Sequence, residues 1–131
     1  MKKRNTKILL VDDEPDIREL IIITLQRMQI ECVGAQNLQE AKTLLGSQAF
    51  ALCLTDMRLP DGDGIELISE IKTLCPNTVV IVLTSDSDFS SVKHCIARGA
   101  DDYVIKSENI VPDLLVRIPV AVSKAASNRR L

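Results

Sequence analysis

Acidic residues follow two apolar segments of the sequence, at the points where the segments end. Asp12, Asp13 and Glu14 come directly after KILLV, and Asp56 comes directly after ALCLT. Carboxylates held close together repel one another, which raises the pKa of at least one of them unless a cation is bound. Several oxygen ligands together suit a hard ion such as Mg²⁺, which also keeps waters and binds phosphates. The acidic residues therefore predict a Mg²⁺ site, provided that the fold brings the segment ends together.

Two other polar side chains follow later apolar segments. Thr84 ends TVVIVLT, with Ser85 beyond it, and Lys106 follows DYVI. A lysine ammonium and a threonine hydroxyl are suitable partners for a phosphoryl group. A carboxylate beside Mg²⁺ and lysine can act as a nucleophile and form an acyl phosphate. Together with the acidic residues, these side chains predict phosphoryl chemistry.

Five short apolar segments alternate with five helical patterns, which would place these side chains at one edge of a sheet. The predicted strands are Lys7–Val11, Glu31–Ala35, Ala49–Thr55, Thr78–Thr84 and Asp102–Ile105. Consecutive β-α units favour a doubly wound parallel sheet with helices on both faces. Ligands of such sheets bind beyond the carboxyl ends of the strands. We therefore expect the polar residues after the strands to converge.

The helix boundaries carry recognisable signals. Pro15 suits the first turn of the first helix, and Asn37-x-x-Glu40 and Asp63-x-x-Glu66 are typical of capping boxes before the second and third. The fourth helix is predicted at about Asp88–Arg98, with Gly99 at its C′ position. Each signal marks the start or end of a helix independently of the apolar pattern.

The fifth helix, at roughly Asn109–Ala126, contains a proline. Pro119 would remove a backbone hydrogen bond at a cost of about 3 kcal/mol in a regular helix. We therefore predict a kink or break near Leu115–Pro119. Leu114, Val116 and Val120 cannot all face the sheet, so some of them should be exposed.

The segments ILLVDDEPDIREL, LCLTDMRLPDGDGIEL, VIVLTSD and GADDYVIK together resemble the receiver domain of bacterial two-component response regulators. The resemblance runs from about Lys7 to Lys106. The polar residues that carry it occur after successive strands in the order found in the family: the acidic pair Asp12 and Asp13, then Asp56, Thr84 and Lys106. It implies a flavodoxin-like (βα)5 fold with strand order 2-1-3-4-5. We expect residues 1–131 to form a single receiver domain, with its core at about 6–126 and without an output domain.

The resemblance implies a phosphoacceptor. Asp56 would accept a phosphoryl group from a sensor histidine kinase or a phosphotransfer protein. Mg²⁺ would be held by Asp13, Asp56 and the main-chain carbonyl of Arg58, and by Asp12 largely through water. Within the same loop, Asp61 is interpreted as a solvated turn residue.

The family pattern also implies a switch. Thr84 and Lys106 would contact the phosphoryl oxygens, and Tyr103 stands at the aromatic position whose ring orientation is coupled to Thr84. A half-buried aromatic at a strand edge, without a switching role, explains Tyr103 equally well. The surface of the fourth helix, fifth strand and fifth helix is commonly used by receivers for pairing, so a homodimer through it is one option.

The prediction is a signalling module that catalyses its own phosphorylation and dephosphorylation, rather than a metabolic enzyme. The alternative is a degenerate receiver that binds partners without phosphorylation. Ser107 replaces the proline, usually in a cis bond, that follows this lysine in the family, and this replacement and the interrupted fifth helix favour the alternative. Intact Asp13, Asp56, Thr84 and Lys106 argue against it.

Two other types of site are excluded because a required residue is missing. A calcium loop that begins at Asp56 or Asp61 would place Leu67 or Lys72 where a bidentate glutamate is required. A hydrolase using an aspartyl phosphate would want a second aspartate two residues after Asp56, where Arg58 stands.

Composition narrows the possible classes of protein further. A formal net charge of −2 over 131 residues disfavours direct nucleic-acid binding. No apolar segment approaches 18 residues, so we expect a cytoplasmic protein without a membrane partner. The four cysteines form no C-x-x-C pair and are interpreted as reduced thiols, with Cys53 in the core. His94, the single histidine, is interpreted as a surface residue.

Overall fold

A five-stranded parallel sheet lies at the centre of the computed structural model, which describes residues 6–85 and 89–129. Its strands are β1 (Ile8–Val11), β2 (Cys32–Ala35), β3 (Leu52–Asp56), β4 (Val79–Thr84) and β5 (Asp102–Ile105). They are ordered β2-β1-β3-β4-β5. The predicted sheet and its strand order are confirmed.

Helices cover both faces of the sheet. One face carries α1 (Pro15–Arg27) and α5 (Ile110–Arg129), and the other carries α2 (Leu38–Ser47), α3 (Gly64–Leu74) and α4 (Phe89–Ala97). The predicted start of the fourth helix at Asp88 lies outside the described residues. Within the described part of the chain, no helix combines the length and apolar character needed to cross a membrane.

The alternation of side chains along the strands builds two apolar cores. Leu9 and Val11 point into the core under α2, α3 and α4, whereas Ile8 and Leu10 point into the core under α1 and α5. All four are fully buried. A parallel strand covered on both faces needs apolar residues at every position, which explains the uninterrupted apolar segments of the sequence.

The predicted caps are present, with changes in their partners. Asn37 Oδ1 accepts a hydrogen bond from Glu40 N at 2.8 Å, while the Glu40 carboxylate accepts from the backbone of Gln36 instead of Asn37. Asp63 Oδ1 accepts from Ile65 N at 2.8 Å. Gly99 follows α4 with a φ of 116°, the left-handed conformation expected at C′.

The sequence predicted a kink or a break in the fifth helix. The break is absent, because α5 continues through Pro119 to Arg129. Pro119 and Leu115 lie on the exposed side of α5, so the Leu115 carbonyl that loses its donor can bind water. On the opposite side Leu114 and Ile118 are fully buried against the sheet and hold the helix in place. Val116 and Val120 are exposed, as predicted.

Asp101 joins three elements at the amino-terminal edge of the sheet. Its carboxylate accepts hydrogen bonds from Lys72 of α3 at 3.0 Å, Lys124 of α5 at 2.7 Å and the backbone N–H of Val80 in β4 at 2.8 Å. Burial disfavours the charged carboxylate, but these three hydrogen bonds outweigh burial and lower the pKa of Asp101. One side chain therefore ties together helices on opposite faces.

Replacement of this carboxylate should destabilise the fold. We expect Asp101→Asn to reduce the free energy of unfolding at pH 7 by about 1–3 kcal/mol, because hydrogen bonds to a partly buried charge are lost. The lowered pKa means that this contribution is complete above the unfolded pKa of about 3.9 and is lost as pH falls through the folded value. Urea denaturation at several pH values measures it.

Asp102→Asn is the matched control for this variant. Asp102 pairs with Arg117 at the surface, where an ion pair contributes only about 0–1 kcal/mol. Equal losses in the two variants, or a loss for Asp101→Asn that does not diminish as the pH falls below the unfolded pKa, would contradict the assignment.

Candidate functional site

The carboxyl ends of three strands bring the predicted site residues together. Asp12 follows β1, Asp56 ends the neighbouring β3, and Lys106 follows β5. The backbone N–H of Lys106 donates to the Thr84 carbonyl at 2.7 Å, which fixes the end of β5 beside β4. The predicted convergence at one sheet edge is therefore present.

Lys106 lies among carboxylates. Its Nζ is 2.6 Å from Asp56 Oδ2, 2.8 Å from Asp12 Oδ2 and 3.1 Å from Glu14 Oε1. The side chain of Asp12 is fully buried and that of Asp56 is 14% exposed, so these two contacts are shielded from water. The ammonium thus offsets part of the negative charge that the strand ends concentrate here.

Burial and ion pairing have opposite effects on the pKa of Asp12, and likewise on the pKa of Lys106. Burial raises the pKa of Asp12, the neighbouring Lys106 ammonium and the Glu14 N–H oppose that increase, and the Asp56 charge adds to it. Burial also disfavours the Lys106 ammonium, but its contacts with Asp12 and Asp56 raise the pKa of Lys106 overall. Lys106 is therefore a permanent cation at neutral pH.

Three carboxylates form a cluster that fits a metal ion. One oxygen each from Asp12, Asp13 and Asp56 lies within 4.8 Å of the others. Asp12 Oδ2 is buried and has no hydrogen bond, because its contact with Lys106 is an ion pair without hydrogen-bond geometry. Asp13 is exposed. Such a cluster, buried at one end and open at the other, can hold a hard cation that keeps waters.

The remaining predicted residues are Thr84, Arg58 and Tyr103. The Thr84 hydroxyl donates to the Ser85 carbonyl at 3.1 Å, not to Asp56. Arg58 N donates to Asp56 Oδ1 at 3.3 Å. Tyr103 is half-buried and packs against the core under α2, α3 and α4. The structure thus brings the carboxylates and Lys106 into contact, while the Thr84 hydroxyl has a backbone partner.

The sequence also matches a known protein family over most of its length. A family model described as the response regulator receiver domain matches residues 8–118. The chain belongs to this family. The resemblance inferred from the acidic pair, Asp56, Thr84 and Lys106 is therefore confirmed.

Curated relatives include two regulators from Pseudomonas aeruginosa. Response regulator protein PilR is 41% identical over an alignment of 132 positions, which covers 95% of this chain and 30% of PilR. Phosphate regulon transcriptional regulatory protein PhoB is 37% identical over 101 residues, which cover 76% of this chain and 44% of PhoB. The chain spans less than half the length of either relative.

Solved receiver domains have the same fold. The signal receiver domain of an HD domain-containing protein from Pseudomonas fluorescens Pf-5 has a TM-score of 0.90 at 27% identity, over 99% of this chain and 96% of that one. The beryllofluoride-activated NtrC4 receiver domain dimer has a TM-score of 0.84 at 29% identity, over 91% and 98%.

Two receiver residues near the cluster were not assigned a role from the sequence. Glu14 follows the first strand, but its contact with Lys106 joins residues 92 positions apart, which no local sequence pattern predicts. Arg18 Nη1 donates to the main-chain oxygen of Asp12 at 2.8 Å, and its aliphatic part lies over Gly34 of β2. The Asp12 backbone is therefore held from α1.

Asp61 is an exposed turn residue, as interpreted, but it also has a structural role that the sequence did not indicate. Its carboxylate accepts from Leu38 N at 2.7 Å and Gln39 N at 3.0 Å, the first backbone amides of α2. The hydrogen bonds to these amides lower the pKa of Asp61. The loop after Asp56 is thus anchored to the start of another helix, where a negative charge is favoured.

Gly64 allows the backbone of α3 to lie directly against Asp56. A Cβ atom at Gly64 would overlap the main-chain oxygen of Asp56 and lie 3.1 Å from Met57 Cα. Gly64 N also donates to the Met57 carbonyl at 2.8 Å. A side chain at this position would displace the backbone that carries the central carboxylate.

Gly64→Ala should therefore reduce the free energy of unfolding by about 1–3 kcal/mol, because the obstructing atoms belong to the backbone and cannot rotate away. Gly46→Ala is the matched control: it lies in α2, and a Cβ there meets open space. The control should increase stability by about 0.5–1 kcal/mol. Urea denaturation measures both, and a stable Gly64→Ala protein would show that the close approach is not required.

Proposed function

We propose that this receiver domain accepts a phosphoryl group on Asp56 from a histidine kinase or phosphotransfer protein. The observation that carries the proposal is the Lys106 ammonium, 2.6 Å from Asp56 Oδ2 and 2.8 Å from Asp12 Oδ2. A nucleophilic carboxylate that lies next to a fixed cation and is still partly accessible is what transfer to aspartate requires.

The chemistry follows from the roles of these groups. An oxygen of Asp56 would attack the phosphorus of a phosphohistidine, and the P–N bond would break with its electron pair returning to the imidazole, which takes a proton from solvent. The product is an acyl phosphate. Lys106 would remain protonated and stabilise the charge on the phosphoryl oxygens. Later attack by water would restore the carboxylate and release phosphate.

Mg²⁺ is the proposed cofactor. When bound, it would neutralise charge on the phosphoryl oxygens and on the carboxylates, which otherwise repel the incoming group. Asp13, Asp56 and the main-chain carbonyl of Arg58 would hold it, with Asp12 acting through water. The exposed position of Asp13, and the Lys106 ammonium 2.8 Å from Asp12 Oδ2, support this division of roles, because the ammonium already pairs with that Asp12 oxygen.

Labelling by acetyl phosphate tests the phosphoacceptor. We expect Asp56→Asn to abolish the mass increase of one phosphoryl group, because the amide has the shape of the carboxylate but is not nucleophilic. Asp61→Asn, the same change in the same loop, should still be labelled. EDTA should prevent labelling of the wild type. Labelling of Asp56→Asn at the wild-type rate would refute the proposal.

We further propose that phosphorylation switches the surface formed by α4, β5 and α5. Thr84 would exchange its hydrogen bond to Ser85 for one to a phosphoryl oxygen, and the half-buried Tyr103 ring would turn inward. The phosphoryl group can shift this equilibrium only by the difference in how well it binds the two states. The switched state should therefore be slightly populated beforehand.

A second copy of the chain is the proposed partner for this surface, which we call the α4-β5-α5 surface. Each of its elements carries exposed apolar side chains: Ile96, Ile105, Val116 and Val120. Removing such side chains from water favours association. The structurally similar NtrC4 receiver is a dimer when activated by beryllofluoride.

Sedimentation of the protein with and without beryllofluoride tests both the switch and the alternative of a constitutive interaction module. We expect beryllofluoride to promote association of the wild type but not of Thr84→Ala, which lacks the hydroxyl. Thr73→Ala removes an exposed hydroxyl on α3 and should behave like the wild type. Equal association under all conditions would reject the switch and favour the alternative.

The features that favoured a degenerate receiver do not disturb the described site. The Lys106–Ser107 bond is trans, and Lys106 still reaches both Asp12 and Asp56. Helix α5 is continuous. These observations support the phosphorylated module over the degenerate one.

A further inference from the structure

Glu14 lies between the acidic pair and α1 but does not cap the helix. It stands at the N-cap position of α1 without a side-chain hydrogen bond to the first helical amides. Its carboxylate instead reaches Lys106, with Oε1 3.1 Å from Nζ. Since capping is the usual use of a polar side chain at this position, its direction towards Lys106 calls for another explanation.

The contacts of Lys106 leave little room for another acceptor. An ammonium group has three N–H donors. Three carboxylate oxygens, from Asp12, Asp56 and Glu14, lie within 3.1 Å of Nζ. Asp56 Oδ2 and Glu14 Oε1 accept hydrogen bonds from Nζ, and Asp12 Oδ2 pairs with it without hydrogen-bond geometry, so a phosphoryl oxygen that binds this ammonium competes with contacts that already surround it.

Exposure decides which contact is displaced. The Asp12 side chain is 0% exposed and belongs to the strand end, and the Asp56 side chain is 14% exposed. The Glu14 side chain is 59% exposed and makes the longest of the three contacts. Glu14 can move into water without leaving an unpaired buried charge, whereas Asp12 cannot.

We infer that Glu14 is a positioning residue that occupies, in the unphosphorylated protein, the place on the Lys106 ammonium that a phosphoryl oxygen later takes. The inference rests on the proposed function and extends it. Glu14 opposes phosphorylation in two ways: it competes for Lys106, and its negative charge repels the incoming anion. Lys106 stays oriented without Glu14, because Asp12 and Asp56 hold it at shorter distances.

Beryllofluoride binding in saturating Mg²⁺, measured by calorimetry, tests the inference. Glu14→Gln should bind beryllofluoride about two- to fivefold more tightly than the wild type, the range expected for an exposed ion pair. Asp16→Asn removes the same charge two positions further along, on the exposed first turn of α1, and should show a clearly smaller change. The gain should shrink at high salt, which screens an exposed contact.

Glu14→Asp provides a second variant. It keeps the charge but withdraws it from Lys106 by one methylene, so it should show part of the gain. Wild-type affinity in Glu14→Asp, or equal effects of Glu14→Gln and Asp16→Asn, would overturn the inference. If the wild type itself bound no beryllofluoride, the proposed function would fail. Equal effects of the two variants in a protein that does bind beryllofluoride would overturn only the inference about Glu14.

Discussion

The central constraint on this protein is the repulsion among carboxylates gathered at one edge of a parallel sheet. Asp12, Asp13 and Asp56 lie close enough to share a metal ion, and Asp12 is completely buried. One ammonium, from Lys106, offsets only part of this charge. The carboxylates outnumber the ammonium, so the site stays formally negative, and a bound cation would relieve the remaining repulsion.

The rest of the fold holds these charges in place. Two apolar cores fix β1 and β3 side by side, and the close packing of Gly64 against Asp56 fixes the backbone behind the carboxylate. At the opposite edge of the sheet, Asp101 performs a comparable task with the charges reversed, because one carboxylate there joins two lysines. Both edges are thus fastened by one side chain that contacts several elements.

The proposed exchange of partners at the site would connect the chemistry to a response. Lys106 is bonded through its backbone to Thr84, and the Thr84 hydroxyl is bonded to the next carbonyl along the chain. Movement of the Lys106 or Thr84 side chain would therefore act on the end of β4 and on β5. The neighbouring helix α5 carries exposed apolar residues. A local electrostatic change can in this way reach a surface available to a partner.

Much of the fold and of the site follows from local sequence patterns. The apolar segments, the caps at Asn37 and Asp63 and the position of Gly99 each depend on neighbours in the chain, and parallel strands necessarily bring their carboxyl ends to one edge. Contacts between distant residues were decided only by tertiary packing. Asp61 caps a helix that starts 23 positions earlier, and Glu14 contacts Lys106 across 92 positions. Helix α5 survives Pro119 because its buried side is held by the sheet, whereas local propensity alone favours a break.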